Sequence, residues 1–264
     1  MRHYLWISVI TLMLAPAIAN AAIIGFNFGG GAYNIDEATG SGVFVGATGF
    51  ARLNSGASNS SGTIYSASEA ALGGPTQLIT VNPTTGAGTA VTPSFVSDNG
   101  IRGLDFSSTD VLYAIIDTGA AGALGADSLY TVNVGTGDLT LVGATGFSDV
   151  QGLAFSSSGS LFAWDISVGL LSINVATGAA TDVNALIGAG GAPIQTLDFS
   201  PGGILYGARD ELYTIDTATG VTTLIGSGGY SDIRGIAFAV PEPASLALLG
   251  LGLAGLGFSR RKKA

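Results

Sequence analysis

The chain has 264 residues, no cysteine and a single histidine, and its charged residues make up only 10% of it, against roughly 25% in an average soluble protein. Absence of cysteine excludes disulfides, cysteine-ligated zinc, iron–sulfur clusters and thiol nucleophiles. Seventeen of the 18 acidic residues but only four of the nine basic ones lie between residues 23 and 239, a balance that repels nucleic-acid backbones and anionic lipid.

The first 21 residues read as a secretion signal. Arg2 and His3 supply a short positive start, Leu5 to Leu14 is apolar, and Ala17-Ile18-Ala19 and Ala19-Asn20-Ala21 offer small-x-small sites for signal peptidase. Cleavage is expected between Ala19 and Ala22. The only histidine, His3, leaves with this leader. The mature domain then lacks the residues for Ser-His-Asp or Cys-His catalysis, and for histidine-bound zinc or haem.

Residues 22–239 are dominated by internal repetition. One phrase recurs five times: YNIDEATG (33–40), ITVNPTTG (79–86), YTVNVGTG (130–137), LSINVATG (171–178) and YTIDTATG (213–220). A second recurs four times, IRGLDF (101–106), VQGLAF (150–155), IQTLDF (194–199) and IRGIAF (233–238), with TIYSA, VLYAI, LFAW and ILYGA as a third. Each has the β-branched and aromatic content of a short strand, and no helical period is sustained. In the five-fold phrase Asp36, Asn82, Asn133, Asn174 or Asp216 is expected to accept N–H bonds from the residues after it, and the closing glycine to supply a positive φ. Each unit is therefore a four-stranded antiparallel meander.

The 217 residues from Ile23 to Ala239 divide into five units of about 43, within the range of propeller blades. The chain opens with second, third and fourth strands and closes with a lone first strand, Ile233 to Ala239, which can complete the first blade. The expectation is an all-β, five-bladed β-propeller of four-stranded antiparallel blades, closed by pairing of its N- and C-terminal strands. The run GLDF…LYAI…LYTVNVGTG resembles the blade pattern of secreted propellers of the NHL and SMP-30 type. Leu104, Phe106, Leu153, Phe155, Leu197, Phe199, Ile236 and Phe238 should pack between blades. The serine- and asparagine-rich stretch from Phe50 to Ala71 matches the pattern least.

The tail, residues 240–264, begins Val240-Pro241-Glu242-Pro243, continues uncharged from Leu246 to Phe258, and ends in the basic cluster Arg260, Arg261, Lys262 and Lys263. A helix over 244–259 would be about 24 Å long, short of a hydrocarbon core of about 30 Å, hence a weak membrane anchor. The four cations would stay cytoplasmic and leave the preceding domain outside. The tail resembles a PEP-CTERM sorting signal, with its motif Pro241, Glu242 and Pro243, a short apolar span and a basic end in that order. The resemblance implies a Gram-negative, exopolysaccharide-producing bacterium and cleavage near the motif by a membrane-embedded exosortase. It also implies transient inner-membrane association, then release to the cell surface or exterior.

Carboxylates and arginines are the remaining candidates for chemistry. Asp98, Asp149 and Asp232 each follow a serine just before an inner strand, and Asp117, Asp165 and Asp210 follow the second strands. Either set could ligate Ca²⁺, the one cofactor considered, or simply close turns. Arg102 and Arg234 stand where Gln151 and Gln195 stand in other units, as channel-mouth contacts for an anionic or sugar ligand or as partners of nearby aspartates. Asp105 and Asp198 lie within the innermost strand as a candidate buried pair. Trp164 could stack on a sugar ring or pack in the core. Two readings follow: a non-catalytic exported propeller engaging exopolysaccharide or other matrix components, and a secreted Ca-dependent hydrolase or lyase with a carboxylate site in the channel.

Overall fold

The structure, a computed structural model, describes residues 22–72, 75–91, 100–117, 127–187 and 192–239. The leader and the tail, with Pro241, Glu242, Pro243 and the basic cluster, lie outside the described residues, as does Asp98. Twenty short strands and no helix are formed among those described.

Blade 1 contains β1 (Ala22–Asn27), β2 (Gly31–Ile35) and β3 (Gly42–Ala47); blade 2 contains β4 (Leu53–Ser58), β5 (Ile64–Glu69), β6 (Thr76–Val81) and β7 (Gly88–Ala90). Blade 3 is β8 (Ile101–Phe106), β9 (Leu112–Asp117), β10 (Asp127–Val132) and β11 (Leu139–Ala144). Blade 4 is β12 (Val150–Phe155), β13 (Leu161–Asp165), β14 (Gly169–Ile173) and β15 (Ala180–Asp182). Blade 5 is β16 (Thr196–Phe199), β17 (Leu205–Ala208), β18 (Glu211–Ile215) and β19 (Thr222–Ser227). The last strand, β20 (Ile233–Ala239), completes blade 1 as its innermost member, in the order β20-β1-β2-β3. It pairs antiparallel with β1 through Ala22↔Ala239, Ile23↔Phe238 and Ile24↔Ala237. The ring is closed by the two ends of the domain, as the out-of-phase repeats require.

The turn chemistry follows the five-fold phrase. Asp36 Oδ1 accepts from the N–H groups of Ala38 and Thr39 at 3.0 and 2.8 Å, and Asn82, Asn133 and Asp216 each bond two residues of their turns in the same way. Asn174 accepts from Ala176. The closing glycine N–H then bonds back to the carbonyl that began the turn, as in Gly178 to Asn174 at 2.8 Å.

Because successive side chains on a strand point to opposite faces, every blade presents apolar residues to both neighbours. Five buried clusters result, one for each blade interface. Ile23 packs with Tyr206 and Leu212 of blade 5, while the next residue, Ile24, packs with Leu53 and Ile64 of blade 2. Leu104, Leu153, Leu197 and Ile236 are almost wholly buried at these interfaces. The phenylalanines that end the inner strands pair with a ring on the second strand of the preceding blade. The pairs are Tyr65–Phe106, Tyr113–Phe155, Phe162–Phe199 and Tyr206–Phe238, at 5.1, 5.2, 5.9 and 5.4 Å between centroids. Each adds about 0.5–1.5 kcal/mol beyond its area. At the interface of blades 1 and 2 the equivalent positions are Ile24 and Ser58, and no such pair forms.

The weakly patterned stretch contains the missing inner strand, β4. Its register, Ala57↔Tyr65 and Ser58↔Ile64, matches Asp105↔Tyr113 and Phe106↔Leu112 in blade 3. Thus Asn54 occupies the place of Arg102, and Ala57 that of Asp105.

Inner strands approach one another at the axis closely enough to exclude side chains. A Cβ added at Gly103 would lie 2.6 Å from the carbonyl carbon of Gly152, and one at Gly152 would lie 2.7 Å from the Leu197 nitrogen. Gly152 also has φ +65° at a bulge in β12, where L-residues are strained by roughly 1–2 kcal/mol. Gly159 shares the positive φ, +86°, but a Cβ there meets nothing within 4 Å. Gly159→Ala should therefore cost only the backbone strain, about 1–2 kcal/mol. Gly152→Ala should cost clearly more, because blade 5 must also move. Chemical denaturation of both variants measures the difference, and equal losses would mean that axial contact does not constrain the ring.

Candidate functional site at the two mouths of the ring

All five inner strands run in the same direction, so their first residues surround one mouth and their last residues the other. At the first mouth the equivalent second positions are Asn54, Arg102, Gln151, Gln195 and Arg234, a polar ring imposed by the repeat. Arg102 lies 3.5 Å from Asp117 and 3.9 Å from Glu69, and Asn54 donates to Glu69 at 2.6 Å. The Glu69 side chain is wholly buried. Arg234 donates through Nε to Asp232 at 2.9 Å, and its guanidinium carbon sits 4.2 Å above the Phe28 ring. Both arginines thus line the mouth and are partnered by carboxylates there.

The candidate carboxylates separate by role. Asp149 accepts from Gln151 at 3.3 Å, while Asp232 faces Arg234 and Arg209. Asp165 closes its own turn by accepting from Ser167 and Val168, and Asp210 accepts from the Asp232 N–H at 2.8 Å. Among the described residues no group of three or more His, Cys, Asp or Glu side chains is placed to hold a metal ion. Two carboxylates at this mouth, Glu69 and Asp127, were not singled out in the sequence. Asp127 begins β10, is buried, and accepts from the Val150 N–H of the next blade at 2.6 Å. Burial, helped by the charges of Asp117 and Asp149, pushes its pKa up to about 7 against the opposing effects of the Val150 N–H bond and Arg102. Its signal was hidden because it opens a strand just after a stretch without a recognisable repeat.

Asp105 and Asp198 lie deeper, on β8 and β16, and both are buried. Each accepts two backbone N–H bonds, one from the residue after it and one from the next blade. Asp105 bonds Phe106 at 2.7 Å and Phe155 at 2.6 Å; Asp198 bonds Phe199 at 2.7 Å and Phe238 at 2.8 Å. They clamp blade 3 to blade 4 and blade 5 to blade 1. Burial raises the pKa of both, that of Asp198 to about 7, and Asp198 also raises Asp105 through charge repulsion. Both lie within inner strands, as the sequence placed them, and both are buried there.

Of the two places the sequence allowed Trp164, the structure shows the core. It is fully buried among Leu170, Ile194, Leu197 and Tyr213 between blades 4 and 5, with its Nε1–H lacking a hydrogen-bond partner. A ring with no exposed face cannot stack on a sugar. The cause is strand parity, which points this residue of β13 into the interface.

The second mouth is built differently. Four turns join the first and second strands of blades 2 to 5, each opened by Asn59, Ser107, Ser156 or Ser200. In each, a side-chain oxygen accepts the N–H four residues on. They surround an open depression of about 280 Å³, lined mainly by serines with Phe106, Phe155 and Phe199. Three of the turns carry a glycine at positive φ (Gly62, Gly159, Gly203), whereas the blade 3 turn places Asp110 at φ 58°. Its carboxylate accepts from the Ser60 N–H at 2.9 Å and from the Ser60 hydroxyl, tying the blade 3 turn to that of blade 2.

The closed ring of five four-stranded sheets makes this domain a five-bladed β-propeller. The chain carries a PEP-CTERM protein-sorting motif, matched over residues 239–262. No curated protein matches the chain in sequence. Among solved structures, it is similar to the calcium-binding protein regucalcin from Agrobacterium tumefaciens, at 19% identity over 84% of this chain and 76% of that one, TM-score 0.51. It is similar to a gluconolactonase from Xanthomonas campestris, at 12% identity over 79% of each chain, TM-score 0.51. A chain of a nidogen/laminin complex matches at 15% identity over 85% of this chain and 87% of that one, TM-score 0.52. At such identities the likeness is one of fold, and it includes neighbours of the SMP-30 type.

The raised carboxylates give a test with a definite sign. A carboxyl with a higher pKa folded than unfolded contributes stability that is complete below the unfolded value, near 4, and lost as pH rises through the folded value. For Asp198 that window runs from about pH 4 to about 7. Asp198→Asn should lower the melting temperature at pH 4 but flatten its decline towards pH 8 by several degrees relative to the parent. Parallel curves would show that Asp198 titrates alike in both states.

Proposed function

We propose that the chain is an exported propeller, anchored in the inner membrane as a precursor, processed by exosortase near Pro241-Glu242-Pro243, and displayed or released as a non-catalytic binder of matrix polysaccharide. The observation that supports export is the sorting motif directly following the last strand of the ring. The mature domain's lack of histidine and cysteine favours binding over the commonest hydrolytic chemistries.

The first mouth suggests what kind of polymer. Its arginines are already balanced by Glu69, Asp117 and Asp232, so an anionic chain would meet net negative charge. A neutral, hydroxyl-rich glycan could instead donate to the carboxylates and accept from Arg102, Gln151, Gln195 and Arg234. Hydrogen bonds to charged groups are worth about 1.5–3 kcal/mol each. Arg102→Gln with Arg234→Gln should thus weaken retention of neutral matrix polysaccharide by the purified domain at least about tenfold. Retention unchanged in the double variant would remove this mouth from binding.

A second reading, a Ca-dependent hydrolase or lyase, is favoured by one feature: the buried Asp127 feels the charges of both Asp117 and Asp149. Its distinguishing result is polysaccharide or lactone turnover that rises with millimolar Ca²⁺ and disappears in Asp127→Asn. Binding without turnover supports the first reading.

A further inference from the structure

The second mouth takes no part in the function proposed above, yet its rim is built and held. The four turns that open at Asn59, Ser107, Ser156 and Ser200 are each closed twice. The backbone N–H of the opening residue donates to the carbonyl four residues on, at 3.1, 2.9, 2.8 and 2.9 Å. The N–H of that later residue donates back to the opening side chain, at 2.9, 3.2, 3.0 and 3.1 Å. Asp110 ties two of the turns together through Ser60. A rim fixed in this way loses little freedom when a ligand binds.

The depression inside the rim offers two kinds of surface. Phe155 and Phe199 pack on Tyr113 and Phe162 but are only partly buried, and with Phe106 they supply apolar contact. Ser108 and Ser157 are exposed there, and their hydroxyls bond no described residue. The Ser200 hydroxyl accepts from Ile204, which leaves its hydrogen to donate. Among the described residues that line the depression none is basic, and the one acidic group, Asp110, is engaged by the Ser60 N–H and hydroxyl. An anion would find no counter-charge. A wholly apolar ligand would strip water from the hydroxyls without replacing their hydrogen bonds. The volume, about 280 Å³, lies just below the roughly 300–1,000 Å³ of sites for drug-sized molecules, so the ligand is small. A small neutral ring with hydroxyls at its edge and C–H groups on its faces meets all these conditions.

We propose that the serine-turn mouth is a carbohydrate site separate from the arginine mouth, taking one neutral sugar unit with a C–H face towards the phenylalanines and its hydroxyls on the serine rim. Room for a single unit suits the end or a branch of a glycan. The proposal does not depend on what the opposite mouth binds.

The test is saturation-transfer NMR on the full-length chain in a zwitterionic detergent. The probes are the methyl glycosides of glucose, galactose, mannose and N-acetylglucosamine, with glucuronate as the anionic control. All measurements use the Arg102→Gln, Arg234→Gln background, which disables the opposite mouth and keeps the two sites apart. At least one neutral glycoside should bind with a Kd on the order of 1 mM, as for other ligands of this size, and glucuronate about tenfold more weakly or not at all. Ser157→Trp sets an indole into the depression from an exposed position and should weaken binding at least about tenfold. Ser108→Trp should do the same from the neighbouring turn, so the result does not hang on one variant folding. Absence of binding by all four glycosides, binding that survives both tryptophan variants, or glucuronate bound as well as the neutral probes would each overturn the proposal.

Discussion

Pairing of β20 with β1 is the constraint on which the rest depends. It joins residues at the two ends of the domain, so the chain must close a loop of some two hundred residues. That closure costs roughly 5 kcal/mol of chain entropy. Against it stand the ladder from Ala22↔Ala239 to Asn27↔Ile233 and the burial of Ile23, Ile233, Ile236 and Phe238. Each such side chain contributes about 1.5–3 kcal/mol when fully buried. Closure is favourable because the side chains on these strands also fill the interfaces with blades 5 and 2. One ladder thus completes two of the five clusters and gives blade 1 its innermost strand.

What was legible in the sequence was what repeats for a local reason. The Asx turn needs Asp or Asn at its start and glycine at its close, so Asp36 to Gly40 and its four counterparts stood out. The inner strands were visible where a Gly sits at the bulge and a Phe ends the strand, as in Gly103 and Phe106. β4 was illegible because it solves the same geometry with other residues. Ser55 takes the positive φ, 66°, at its bulge, and Ser58 replaces the phenylalanine. With β4 unrecognised, Asn54 and Glu69 could not be placed beside Arg102. Trp164 and Asp127 depended on strand parity and on a neighbouring blade, which local sequence does not encode.

The aspartates of the inner strands show how an approximate five-fold ring acquires direction. Ala57, Ala154 and Ala237 occupy the positions of Asp105 and Asp198, so the backbone geometry does not demand a carboxylate. Where one is present, it bonds a nitrogen of the following blade, which makes the interfaces of blades 3 with 4 and 5 with 1 more polar and more specific. The same burial that strengthens those bonds disfavours the charge. The repulsion between the two residues disfavours it further. In each clamp the main-chain N–H bonds favour the carboxylate, while burial, the larger effect, favours its protonation.

The interface between blades 1 and 2 stands at the other extreme, with neither aromatic pair nor carboxylate clamp. Its inner strands meet instead through backbone: a Cβ at Gly56 would lie 2.6 Å from the Ile236 carbonyl oxygen, and one at Gly235 would lie 2.1 Å from that of Ser55. The outer parts are held by Thr48, whose carbonyl accepts from the Gly88 N–H of blade 2 at 2.9 Å. Loss of side-chain bulk in β4 thus leaves its main chain packed directly on that of β20, as Gly103 packs on Gly152. That packing explains how a serine-rich strand can stand beside the closing strand without opening the ring.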